Sequence, residues 1–208
     1  MSFPRVRIAS VLAALTAGAT TGALGALAGK LDGVFFHALS LVFSAGWSWA
    51  CLAFLVGYFR PSKAEAGLLA SVALALGVIV YYSLKALSPV TPIGVPVPGE
   101  PSGGNAWSGI VVWGALAFLL GAPVGILGNM ARVPGIAGLP FRLLVPLIAF
   151  FETSWRLAVE AAAAGPAAES TWATIRVVSA LAAVALAGRV LWGWCARHHS
   201  AKFRARSD

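Results

Sequence analysis

Residues Leu143–Ala164 read LLVPLIAFFETSWRLAVEAAAA. As a helix rising about 1.5 Å per residue, this stretch is long enough to cross a hydrocarbon core of roughly 30 Å. It nevertheless carries Glu152, Arg156 and Glu160. Their spacing of i, i+4 and i+8 sets all three on one helix face. An ionisable group at membrane depth costs about 2.5–3.5 kcal/mol on insertion scales, so a chain keeps one that is paired, turned inward or used. Two readings follow. The three groups neutralise one another and fix helix register, or they form part of the wall of a pocket. Either way, the remainder of the chain is expected to be the bundle that shelters this face.

The composition agrees. The 208 residues are 59% hydrophobic and 11% charged, against about 25% charged in soluble domains, and the mean hydropathy is +0.85. These values predict an all-α integral membrane bundle forming a single domain over residues 1–208. The formal net charge of +8 would suggest nucleic acid in a soluble chain. Here the basic residues gather in loops and the tail, so the expected partner is the lipid bilayer, with no nucleic acid. The tail HHSAKFRARSD is suited to anionic head groups. Cys51 and Cys195 lie in apolar stretches and make no CxxC, so they read as small hydrophobes. No metal and no cofactor is expected. The first apolar run, 8–29, is too long for a signal h-region and lacks a clear cleavage pattern.

Hydropathy divides the chain into six expected helices at about 8–29, 34–59, 68–87, 107–127, 141–164 and 171–194. In the first, Gly18, Gly22, Gly25 and Gly29 leave backbone exposed along one face, as close helix packing in membranes requires. The second carries His37 near one end, and Trp47 and Trp49 near its middle, where Trp is less usual than at the interface. These rings either fill the core or line a cavity. Tyr81, Tyr82 and Lys85 occupy the last turns of the third. The loop 88–106, SPVTPIGVPVPGEPSGGNA, is rich in Pro and Gly. It is either a lid or a linker. Pro123 is expected to loosen the end of the fourth helix, and Pro146 falls in the first turns of the fifth. Ser170 is a plausible N-cap for the sixth.

Charge sets the expected topology. With the N-terminus inside, Arg5, Arg7, Arg60, Lys63, Arg132, Arg142, Arg189, Arg197, Lys202, Arg204 and Arg206 share the cytoplasmic side, and Lys30, Lys85, Arg156 and Arg176 fall elsewhere. The bias predicts both termini inside and a multi-pass protein of the inner (cytoplasmic) membrane. Glu152 then lies roughly 16 Å along its span, near the midplane. Arg156, Glu160, Arg176, Tyr81, Tyr82 and Trp107 lie further toward the outer face.

Two mechanisms fit a pocket built this way. In one, burial keeps Glu152 protonated while Arg156 pairs with Glu160. Glu152 is then the catalytic acid that starts a carbocation cyclisation of a lipophilic prenylated substrate. Trp47, Tyr81, Tyr82, Trp113 and Trp155 stabilise the positive charge, with Arg156 and Glu160 completing the substrate-binding wall. Pairing of Arg156 with Glu152 instead would remove the acid. In the other, Arg156 or Arg176 holds the anionic group of a small solute, and the chain is the substrate-binding membrane subunit of a transporter. It has no GxxxxGK[ST], so a separate subunit would supply the energy. A structural membrane protein without chemistry is the third possibility.

The segments FSAGWSWACLAFLVGYF, GVIVYYSL, WGALAFLLGAPVGILG and AFFETSWRL resemble a family of six-helix actinobacterial membrane proteins of unknown function. The resemblance covers most of the chain and implies the fold and a high-GC bacterial source. In size, and in holding a membrane-depth acid among aromatics, the chain also resembles the small integral-membrane terpene cyclases of actinobacterial indole-terpenoid pathways, a branch of secondary metabolism. That likeness implies isoprenoid cyclisation, with Glu152 as the acid.

Overall fold

A computed structural model describes residues 3–87 and 106–204. The expected lid or linker lies outside them except for Ala106. Among the described residues every regular element is helical: α1 (Phe3–Ala28), α2 (Val34–Ser44), α3 (Gly46–Tyr58), α4 (Lys63–Leu87), α5 (Ala106–Met130), a short 3-10 turn (Ile136–Gly138), α6 (Leu139–Val159), α7 (Ala161–Ala164) and α8 (Pro166–Arg204). Five helices are long and apolar enough to cross a membrane, and six spans result if the bent pair α2–α3 counts as one. The chain is therefore all-α and reads as a multi-pass membrane protein.

The expected single second helix is corrected by the structure. It breaks between Ser44 and Gly46, and its halves meet at 60°. Ser-Ala-Gly is a weak point in a helix, since Gly and Ser pairs are common sites of sharp kinks. Other boundaries move as well. The last span starts at Pro166 rather than near Thr171, after Gly165 turns the chain with φ +86°. Ser170 is not its cap: it lies inside α8, its Oγ donating to the Ala167 carbonyl at 3.0 Å. α5 continues through Pro123 to Met130. α6 starts at Leu139, which leaves Pro146 in its interior.

Small side chains let α1, α3, α4 and α5 approach closely. Their shared core is Ala14, Ala53, Val56, Ala70, Ala73 and Leu74, with Trp49, Leu52 and Leu69 packed against it. Gly18 and Gly22 of α1 rest on the carbonyls of Ala73 and Gly77 of α4, where a Cβ would overlap backbone oxygen. Gly57 meets the Gly125 carbonyl of α5 in the same way. In lipid, such van der Waals contact replaces the hydrophobic effect as the force between helices. Ser71, 1% exposed, ties α4 to α5 by donating to the Phe118 carbonyl at 2.7 Å.

The helix ends are closed by cations, which complement the negative end of the helix dipole. At one end of the bundle Arg132 and Asn129 donate to the Arg60 carbonyl beyond α3, at 2.8 and 2.6 Å. Arg142 donates to the Ala131 and Val133 carbonyls beyond α5, both at 2.9 Å. At the other end Lys30 donates to the Leu84 carbonyl of α4 at 2.7 Å. α6 and α8 form a hairpin whose buried positions include Ala149 and Thr153 on α6, and Ala168, Trp172 and Ser179 on α8. This hairpin meets the four-helix body chiefly through α2 and α3, beside the break.

Candidate functional site

The break in the second span creates a backbone problem in an apolar helix pair, at a point where Ala45 is buried and Ser44 and Gly46 are exposed. Donors at the start of α3 and acceptors at the end of α2 lose their helical partners. Ala45, the residue before α3, has no side-chain oxygen to cap it. Glu152 supplies the cap from another helix. Its Oε1 accepts the Gly46 N–H at 3.0 Å and its Oε2 accepts the Trp47 N–H at 2.7 Å. A carboxylate at a helix N-terminus also meets the positive end of the dipole. On the α2 side, the Trp49 indole donates to the freed Phe43 carbonyl at 2.9 Å. The Ser48 hydroxyl donates to the Ala45 carbonyl at 2.8 Å.

Arg156 completes the arrangement. Its Nη2 and Nε lie 3.1 Å from Glu152 Oε1, and its Nη1 lies 3.0 Å from Glu160 Oε2. The guanidinium thus bridges both carboxylates in the i, i+4, i+8 ladder. It lies 5.8 Å from the ring centroid of Trp172, which is 3% exposed. Side-chain exposure rises along the ladder, from 20% at Glu152 through 28% at Arg156 to 36% at Glu160. Every partner of the Glu152 oxygens is a donor: two backbone N–H groups and the guanidinium. A carboxylate is acceptor-only, so its two oxygens can take all of these donors.

The aromatic residues are distributed differently from the expected wall. Trp47 adjoins the break through its backbone. Its indole Nε1 is buried and meets no acceptor among the described residues. Tyr81 and Tyr82 stack edge to face, with centroids 5.2 Å apart. Their neighbours are Gly25 of α1 and Gly109 of α5. Trp113 and Trp155 are 54% and 59% exposed, so the structure places them on the outer surface. Arg176, expected level with Glu160, is exposed on α8, and Glu160 takes Arg156 instead. Among the described residues no three His, Cys, Asp or Glu come together as a metal site.

Sequence reasoning did not place Trp172, Ser48 or Gly46 at this site and left Trp49 as either core filling or cavity lining. The signal for the last three was the FSAGWSW segment, where small residues and two Trp interrupt a span. Nothing in the sequence marked Trp172 as the residue beneath Arg156. Comparison with protein-family models, with curated proteins and with solved structures finds no match to this chain.

Proposed function

We propose that this chain is a multi-pass protein of the cytoplasmic membrane, with both termini inside, that binds a small carboxylate-bearing solute at its broken span as the membrane subunit of a transport system. The orientation rests on the charge bias: Arg60, Lys63, Arg132 and Arg142 share the end of the bundle that would face the cytoplasm. The solute site rests on one observation, the half-helix N-terminus of α3 at the break in the second span, beside Arg156. Many transporters present such N-termini to anionic substrates. The two N–H groups and the guanidinium fit one carboxylate. Glu152 supplies it from within the chain until a solute's carboxylate takes its place. Exchange of like for like keeps the donors satisfied in both states, which limits the cost of switching.

The cyclase alternative has less support. It needs a proton on Glu152 and aromatic faces around it, whereas the carboxylate is surrounded by donors and Trp113 and Trp155 turn outward.

The test uses purified protein in lipid nanodiscs, titrated with amino acids and short carboxylates by thermal shift and calorimetry. Glu152→Gln weakens the internal competitor, so it should bind a carboxylate solute more tightly than the native chain does. Arg156→Ala should abolish binding while the protein stays folded. If no carboxylate stabilises either the native chain or Glu152→Gln, the proposal fails.

A further inference from the structure

A second site lies at the opposite end of α3 and does not depend on the solute proposed above. A cavity of about 420 Å³ opens between the α3–α4 turn and the end of α5, lined by Pro61, Lys63, Asn129, Met130, Arg132 and Val133. Its charged lining is Lys63 and Arg132, with no acid among the six. Arg132 is held in place by its Nη1, which donates to the Arg60 carbonyl at 2.8 Å. That partner is uncharged, as are the Ala131 and Val133 carbonyls that take the neighbouring Arg142. Hydrogen bonding therefore fixes these guanidinium groups without neutralising them. Pro61, Met130 and Val133 supply an apolar side to the same cavity. Apolar residues within five positions of the lining in sequence are exposed: Phe59 at 72%, Leu68 at 62% and Ile136 at 41%.

The combination is one hydrogen-bonded cation, Arg132, and one exposed cation, Lys63, lining a hollow of ligand size at a helix-end level. Basic pockets between spans on the cytoplasmic side suit lipid head groups. We propose that this cavity binds the phosphate-bearing head group of an anionic glycerophospholipid. The phosphate would lie between Lys63 and Arg132, and the acyl chains would run along the apolar surface of the bundle. A zwitterionic head group brings its own cation against Lys63 and Arg132 and is disfavoured.

The test is native mass spectrometry of the full chain released from detergent containing equal phosphatidylglycerol and phosphatidylcholine. The native chain should retain phosphatidylglycerol preferentially. Lys63→Gln should lower that retention about fivefold, and adding Arg132→Gln should lower it by a similar factor again, at roughly 1 kcal/mol per cation. Arg189→Gln, which removes an exposed cation that does not line the cavity, should leave retention unchanged. Because Arg132 also closes a helix end, Lys63→Gln alone decides the matter if the double variant does not fold. Equal retention of the two lipids, or equal losses from Lys63→Gln and Arg189→Gln, would overturn the site. Displacement of the lipid by millimolar glycerol 3-phosphate would show a site for soluble phosphate compounds and would overturn the lipid assignment.

Discussion

Glu152 Oε1 accepts the Gly46 backbone N–H at 3.0 Å, across 106 positions of sequence. This contact joins the α6–α8 hairpin to the four-helix body at the break in the second span. It makes the acid of α6 the N-cap of a helix to which it is not covalently adjacent.

Removing that cap leaves two backbone donors and part of the Arg156 guanidinium without an acceptor. Glu152→Ala is expected to lower stability by about 0.5–2 kcal/mol, the range for an N-cap. Glu160→Gln should cost less than about 1 kcal/mol, since Glu160 is 36% exposed and its pair is screened. Unfolding of purified protein in mixed micelles measures both. Equal losses would show that the ladder, rather than the cap, carries the energy.

The other half of the break rests on Trp49. Trp49→Phe keeps the ring in the core and removes the donor to the Phe43 carbonyl. The expected cost is about 1–3 kcal/mol for an unsatisfied buried acceptor. Trp113→Phe, on an exposed ring, should stay within about 0.5 kcal/mol of the native protein. The same unfolding assay compares them.

Close helix contact should make Gly57 intolerant of a methyl group. Gly57→Ala sets a Cβ onto the Gly125 carbonyl and must push α3 from α5. A cost of about 1–3 kcal/mol, or loss of folded protein, is expected. Gly188 of α8 has open space at the Cβ position, so Gly188→Ala should be tolerated. Melting temperature and yield of monodisperse protein report the difference.

The proposed topology is checked with single cysteines in a Cys51→Ser, Cys195→Ser background. A cysteine at Ser62, in the α3–α4 turn, should react with a membrane-impermeant maleimide in inverted vesicles only. One at Asp32, between α1 and α2, should react in intact cells. The reverse pattern would invert the orientation.

How much of this was legible before folding depends on the kind of information each feature needs. Helix content and the number of apolar segments are local properties. Glu152, Arg156 and Glu160 share a face because a helix repeats every 3.6 residues, and the structure pairs them in that order. Gly18, Gly22 and Gly25 of α1 likewise marked a packing face, since missing side chains are visible in sequence.

The partner of that face was not legible. Periodicity gives a side chain's direction around its own helix, not which neighbouring helix it meets. Helical spacing alone left open whether Arg156 belonged to Glu152 or Glu160; in the fold it bridges both. The break at Ala45 is tolerable only because Glu152, Trp49 and Ser48 arrive to satisfy the backbone groups it frees. Ser48 and Trp49 are local, but Glu152 sits more than a hundred residues from the donors it caps, so only the tertiary structure could bring them together.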